Sequence, residues 1–121
     1  MKSIEEAIAT LTNSAAIQAQ ALETGDYKNG NRRMRLMMQC IVYLYEQNHL
    51  ADLKPLLYHQ NIGVRSTAAY ALLPLMEKES ITVLQEIADN DYGIHSFDAE
   101  RMIKRWKKHE IIFPYQEGYH W

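Results

Sequence analysis

LKPLLYHQNIGVRSTAAYALLPLMEKESITVLQEIADNDYGIHSFDAERMIKRW is the segment Leu53–Trp106, and it carries one pattern twice at a spacing of about 30 residues. When the segment is aligned with itself at that spacing, apolar residues fall on apolar residues, for example Leu57 on Ile87 and Leu72 on Met102. Small residues coincide as well, since Gly63, Ser66 and Ala69 fall on Gly93, Ser96 and Ala99. Periods of this length are typical of repeat architectures. The segment therefore predicts two stacked helical hairpins.

The composition is that of a single soluble globular domain. The chain has 121 residues, of which 47% are hydrophobic and 23% charged, and its formal net charge is −2. No segment is long and apolar enough to span a bilayer, and the opening MKSIEEAIATL has acidic residues where a signal peptide would be basic. The one cysteine, Cys40, excludes an internal disulfide. We expect one cytoplasmic domain over residues 1–121.

A first hairpin is predicted ahead of the repeat, over residues 3–48. Ser3 is a suitable N-cap for a helix whose apolar residues recur every three or four positions and which ends near Gly25. Asp26 can cap a second helix that lasts until about Asn48. Both helices have one apolar stripe, so they should pack against each other.

The first copy of the repeat predicts a second hairpin over about residues 51–76. A short helix should run from Ala51 to Tyr58, with Pro55 tolerated only in the first turn, where its missing N–H costs least. A longer helix should run from Val64 to about Met76, burying Leu75, with Pro74 distorting or ending it.

The second copy predicts a third hairpin over about residues 79–108. Glu79 or Ser80 should begin one helix, the DNDYG loop should break it, and Ser96 should cap the last helix. No segment shows the alternation expected of a strand. The chain is therefore predicted to be all-α.

An aromatic C-terminal strap, residues 110–121, follows the last helix. It packs Phe113, Tyr115, Tyr119 and Trp121 into a few positions. Aromatic side chains gain much from burial, so we expect them to close the open end of the array by covering its last apolar face. The alternative is that some of them anchor a partner, because Tyr and Trp are frequent in binding hot spots.

The stretch LLYHQNIGVRSTAAYALLPL resembles a HEAT-like repeat, whose second helix opens with Asp or Asn followed by Val-Arg and paired alanines and leucines. The residues in those places are Asn61, Val64, Arg65, Ala68, Ala69, Leu72 and Leu73. The second copy keeps Asp91, Ile94 and Ala99 but has His95 where the pattern has Arg. Together with the terminal FDAERMIKRW, the order of these motifs along the chain is similar to that in a small bacterial family of HEAT-like proteins without an assigned activity.

The resemblance implies a fold and a function. The fold is a right-handed stack of about three antiparallel hairpins, a HEAT-like α-solenoid, with the aromatic tail at its end. Members of such families often lie beside polymorphic toxins, where they look like immunity proteins. The resemblance therefore implies a non-enzymatic protein-binding module, most specifically an immunity protein that binds and neutralises a cognate bacterial toxin.

Charge placement suggests where a partner would bind. In such a stack the second helices of the hairpins line one surface, and most of the arginines lie on those helices. The candidate partner-binding residues are Arg32, Arg35, Tyr43, Arg65, Tyr70, Arg101, Lys104 and Arg105. The alternative for the basic residues is that they merely form solvated helix faces or bond a neighbouring turn.

Two further functions remain open for the same surface. A basic surface of this kind can hold a nucleic-acid backbone without reading bases, although the slight net acidity counts against it. A HEAT-like scaffold or regulatory subunit is the other alternative.

An enzyme is the least supported class. The five histidines show no metal-ligand spacing, no CxxC occurs, and no nucleophile or phosphate-binding motif is present, so no metal or cofactor is predicted. Cys40 lies in an apolar stripe and is predicted to be a buried thiol. A HEAT-like base-repair glycosylase is the enzyme that the resemblance would allow, but the chain is short for one and no carboxylate lies among stacking aromatics. Met34, Met37 and Met38 are predicted chiefly as core fillers.

Overall fold

The computed structural model describes residues 3–121, so Met1 and Lys2 of the opening segment lie outside it. Over this range the chain forms five α-helices and one 3₁₀ helix and contains no strand, which confirms the all-α prediction. The elements in chain order are α1 (Ile4–Thr24), α2 (Tyr27–Glu46), the 3₁₀ helix (Leu50–Tyr58), α3 (Ile62–Leu72), α4 (Glu77–Asp89) and α5 (Ile94–Lys107).

Local side-chain chemistry sets the ends of the first two helices. The Ser3 side chain accepts a hydrogen bond from the Glu6 N–H at 3.0 Å, which caps α1. At the other end Gly25 has a φ of 77°, the left-handed conformation that glycine adopts without strain. Asp26 then caps α2 by accepting from the Asn29 N–H at 3.3 Å. The predicted first hairpin is confirmed.

The 3₁₀ helix corrects the prediction for Pro55. The predicted helix is present, but Pro55 lies inside it rather than in its first turn. A 3₁₀ helix brings residues three apart onto one face. Leu50 and Leu53 are buried in this way, together with Leu57. Packing of this leucine row favours the tighter helix, which tolerates the proline because it is short.

The end of α3 also differs from the prediction. Asn61 caps its start, since its side-chain oxygen accepts from the N–H groups of Gly63 and Val64 at 2.9 and 3.2 Å. The helix ends at Leu72 rather than near Met76 because Pro74 interrupts it. Leu75, predicted to be buried, is 57% exposed as a result.

The third hairpin begins earlier in both of its helices than predicted. α4 begins at Glu77 rather than at residue 79 or 80. α5 begins at Ile94, so Ser96 is its third residue and not its N-cap. Instead the Ser96 hydroxyl accepts from the Tyr92 N–H at 2.9 Å and donates to the Asn90 carbonyl oxygen at 2.5 Å. Ser96 therefore holds the loop between α4 and α5.

The helices pack in pairs, and α3 is the central element. α1 packs on α2, the 3₁₀ helix on α3, and α4 on α5, while α3 also packs against α1 and α4. The repeat positions Leu57, Leu72 and Ile87 are fully buried, as the shared pattern requires. The packed pairs confirm the predicted hairpins; the right-handed stack stays a prediction.

α1 and α3 approach each other most closely at Gly63. A β-carbon at this position would lie 2.5 Å from the Ala19 β-carbon and 2.7 Å from the Ala15 carbonyl oxygen. Ala15 and Ala19 are themselves small and buried. The two helices therefore reach this separation only because residue 63 has no side chain.

Gly63→Ala should lower the free energy of unfolding by about 1–3 kcal/mol, because backbone and a short side chain on α1 leave no room to relax. Urea unfolding followed by helical circular dichroism measures the change. Gly30→Ala in α2 is the matched control, because its β-carbon would meet only the Ala21 β-carbon at an ordinary 3.5 Å. That change should be neutral or stabilising by about 0.5–1 kcal/mol. Equal stabilities for the two variants would contradict the close contact.

Candidate binding cleft

The aromatic strap docks across the second helices of the hairpins. Phe113 is buried, and its ring lies 5.1 Å from Tyr70 on α3 and 6.3 Å from Trp106 on α5, measured between centroids. Tyr115 stacks flat on Tyr45 of α2 at 3.7 Å. The strap is therefore ordered against the protein, as predicted.

Its location corrects the prediction that it covers the last apolar face at the end of the array. After Tyr115 the strap continues to α2, where the Arg35 guanidinium donates to the Trp121 carbonyl oxygen at 3.3 Å. The strap thus runs from α5 over α3 to α2. The reason is physical: the aromatic rings of Tyr45 and Tyr70 lie on this side and supply the apolar surface that the strap covers.

The part of this side that the strap leaves open is a cleft of about 470 Å³. α2 and α5 form its walls, α1 and α3 contribute its floor, and the strap closes it with Ile111, Ile112 and Tyr119. Four of its lining residues are methionines: Met34, Met37, Met38 and Met102. Met37 and Met38 are buried, as expected of core residues, but Met34 is partly exposed. The methionines thus serve as core and as cleft lining.

Two polar side chains in the cleft have no hydrogen-bond partner among the described residues. The side chain of Gln18 on α1 is largely buried and makes no such bond. The His95 side chain is only 10% exposed, and its Nε2 is buried without a hydrogen bond, 3.7 Å from a Glu23 carboxylate oxygen. Polar atoms in an apolar setting are usually paired. The Gln18 amide therefore presents unused hydrogen-bonding capacity to the cleft, whereas the His95 Nε2 lies against Glu23 and is closed off from solvent.

Tyr70 and Arg105 are the predicted partner-binding residues that line the cleft. Burial, with smaller contributions from Tyr119 and Tyr115, raises the pKa of Tyr70 well above its usual value, so it stays a neutral phenol. The Arg105 guanidinium donates to the Glu110 carbonyl oxygen at 3.3 Å, which ties the start of the strap to α5.

The predicted residues on α2 lie outside the cleft. Arg32 is exposed and donates to the Asn29 side-chain oxygen at 3.2 Å, while Arg35 bonds the end of the strap. Tyr43 is half-buried against the core and borders the same shallow hollow as Trp121. α2 therefore separates these side chains from Tyr70 and Arg105.

Arg65 holds a turn instead of facing the cleft. Its guanidinium donates to the carbonyl oxygens of His59 and Gln60 at 3.0 and 3.2 Å. It also lies 3.6 Å from a Glu86 carboxylate oxygen on α4. These contacts match the alternative in which this arginine bonds a neighbouring turn.

The basic residues of α5 are interleaved with acidic ones. Arg101 lies 3.9 Å from the Asp98 carboxylate and over the Phe97 ring, and Lys104 lies 3.0 Å from the Glu100 carboxylate. Asp98 itself lines the cleft, as Arg105 does. The charge around the cleft is therefore mixed, and the predicted basic stripe does not continue through it.

No protein-family model, curated protein or solved structure matches this chain. The function of the cleft is therefore inferred from its geometry and from the resemblance of the repeat residues.

Neither a metal site nor a membrane-spanning helix occurs in the part of the chain that the structure describes. Residues 3–121 contain no group of three or more His, Cys, Asp or Glu side chains placed to hold a metal ion. Over the same range, none of the helices has both the length and the apolar character needed to cross a membrane.

Cys40 lies outside the cleft, in the core between α1 and α2. It is fully buried, and burial raises the pKa of its thiol from 9.0 to about 11. Since the thiolate is the reactive form, a thiol with this pKa is a poor nucleophile near neutral pH. Cys40 is a core residue, as the sequence predicted.

Phe113→Ala should lower the free energy of unfolding by about 3–5 kcal/mol, because it empties the contact between the strap, α3 and α5. Trp121→Ala removes a half-exposed ring from the same strap and should cost less than about 1 kcal/mol. Chemical unfolding of both variants gives the comparison. Similar losses for the two would mean that the strap is not anchored at Phe113.

Stability should fall as the pH rises from about 9 towards 11. In this window the unfolded Cys40 thiol loses its proton while the folded one keeps it, so the folded state is penalised by up to about 2 kcal/mol. Urea midpoints across this range should decline less steeply for Cys40→Ala than for the wild type, whatever their starting values. Equal slopes of the urea midpoint against pH for the two proteins would show that Cys40 does not contribute to this loss of stability.

Proposed function

We propose that this chain is a non-enzymatic protein-binding module whose partner docks over the cleft. The observation that carries the proposal is the exposure of large apolar side chains around the mouth. Tyr27 and Met34 on α2 and Ile112 on the strap line the cleft and are exposed. Ile94 and Phe97 on α5 are exposed as well.

An apolar surface around a concave site is typical of protein interfaces. Exposed apolar residues that cluster mark interaction sites more often than single ones do. Tyrosines supply large contact area, and methionines adapt their shape to a partner. The interleaved charges of α5 form a polar rim beside this surface, as interfaces usually have.

The most specific form of the proposal is an immunity protein that binds and neutralises a cognate bacterial toxin. Its support is the resemblance of Asn61, Val64 and Arg65 and their neighbours to HEAT-like repeats. The proposal includes the finer architecture implied by that resemblance, a right-handed HEAT-like solenoid. The same surface would serve a scaffold or regulatory subunit, whose partner would not be a toxin.

A nucleic-acid backbone is the less favoured partner. Phosphate binding requires several free cationic side chains along one track. Here Lys104 pairs with Glu100, Arg65 with Glu86, and Arg101 with Asp98. A mobility shift at low salt, abolished when Arg32, Arg35, Arg101 and Arg105 are changed together to Glu, would favour this alternative instead.

Tyr27→Ala should weaken a one-to-one complex with the toxin encoded beside the gene by about 30-fold or more, the effect of losing a hot-spot tyrosine. Isothermal titration with the purified toxin domain measures it. Tyr58→Ala is the matched control, because Tyr58 is 68% exposed, against 71% for Tyr27, but lies on the 3₁₀ helix, which does not line the cleft.

The control should leave affinity and neutralisation of the toxin unchanged. Failure of the neighbouring gene product to bind, or equal effects of the two tyrosines, would refute the proposal. Thermal unfolding of both variants ensures that neither effect comes from loss of the fold.

A further inference from the structure

The strap shows what kind of group this side of the molecule accepts. Between α2 and α5 it places a non-helical segment whose aromatic side chains pack on Tyr45 and Tyr70. The cleft is the remaining part of the same space, with α3 beneath both. An occupant in line with the strap would meet the same kind of apolar floor.

Two strap residues that line the cleft have peptide groups without hydrogen-bond partners in the described chain. Ile111 and Ile112 line the cleft, are not helical, and make no backbone hydrogen bond within the described residues. Free peptide groups of an extended segment are a template for another extended chain.

Gln18 and His95 add polar groups on the floor and the opposite wall. Each side chain is about nine-tenths buried, lines the cleft and makes no hydrogen bond within the described chain. The His95 Nε2 is closed off from solvent and lies 3.7 Å from a Glu23 carboxylate oxygen, so it is not open to an occupant. The Gln18 amide offers a donor and an acceptor together, the combination that a peptide group requires. The Gln18 side chain therefore matches the main chain of a bound peptide.

The charged groups of the cleft already have polar partners, so few of them are free to pair with a charged ligand. Asp26 accepts from the Asn29 N–H, Asp98 lies near Arg101, and Arg105 donates to the Glu110 carbonyl oxygen. A charged side chain brought among the methionines would lose its hydration without a free partner. The volume of about 470 Å³ is in the range of small ligand pockets.

We propose that the cleft receives an extended segment of the partner protein with one uncharged aliphatic side chain as its anchor. The methionines surround the anchor, while the Gln18 amide and the backbone of Ile111 and Ile112 hydrogen-bond the main chain on either side of it. This inference rests on the proposed protein-binding function and specifies what is bound at its centre.

The test uses blocked tripeptides and the full chain. N-acetyl-Ser-Leu-Ser-N-methylamide is titrated into the ¹⁵N-labelled protein, beside versions with Lys or Glu at the centre. The leucine peptide should bind with a Kd in the millimolar range, set by its small size. It should shift the amide signals of Met34, His95 and Ile112. The Lys and Glu versions should bind at least about 10-fold more weakly.

Gln18→Leu should weaken binding of the leucine peptide by about 5-fold or more, because one buried hydrogen bond is lost. Gln20→Leu on the same helix is the matched control, because Gln20 is exposed and does not line the cleft. If Gln18→Leu fails to fold, Met34→Asp on the rim replaces it and should abolish the shifts.

Three outcomes would overturn the inference: no shifts at the cleft, equal or tighter binding of the Lys or Glu peptide, or equal effects of the two glutamine variants. The tripeptide titration requires no toxin, so it separates the two proposals. Peptide binding without a toxin partner would refute the immunity function alone. If the toxin binds in a way that depends on Tyr27 but the peptides shift no amide signals, this inference alone is refuted.

Discussion

The close approach of α1 and α3 at Gly63 is the constraint on which the rest of the structure depends. α1 carries α2 as its partner, and α3 carries the 3₁₀ helix and packs against α4. The distance between the first hairpin and the rest is therefore set where Gly63 meets Ala15 and Ala19. Gly63 and Ala19 also line the cleft. A larger residue at this contact would separate the helices and change the cleft floor together with the core.

The parts of the fold that local chemistry decides are those that the sequence predicts well. Ser3 and Asp26 cap helices with their own side chains, so their positions follow from residue type and spacing, whereas Asn61 caps a helix that begins at Ile62, two residues before the predicted start. Pro74 and Leu75 show the limit of such predictions. The apolar periodicity of the sequence continues past the proline, but the helix ends before it. Leu75 fits the apolar pattern and is nevertheless exposed. The same limit applies where tertiary packing selects the 3₁₀ helix.

The candidate site was less predictable because four helices and the strap contribute to it. Tyr70 and Arg105 were found through their place on second helices. Arg65 satisfied the same criterion yet bonds a turn, since an arginine near a helix start reaches the preceding carbonyl oxygens as easily as it reaches solvent. The missed residues carried a weak signal: Gln18 lies within the apolar stripe of α1, and His95 replaces the arginine of the repeat pattern. Neither signal identifies a cleft without the packing.

The strap explains why the space between α2 and α5 is closed at one end and open at the other. Phe113 and Tyr115 cover the aromatic rings of the second helices, which removes apolar area from water. Gly118, with a φ of 92°, then supplies a turn that few other residues adopt, after which Tyr119 lines the cleft and Trp121 reaches Arg35. The end wall of the cleft thus depends on one glycine, and its floor on another. These two glycines fix the backbone around the cleft, while the methionines of its lining can adapt their side chains to the shape of what enters.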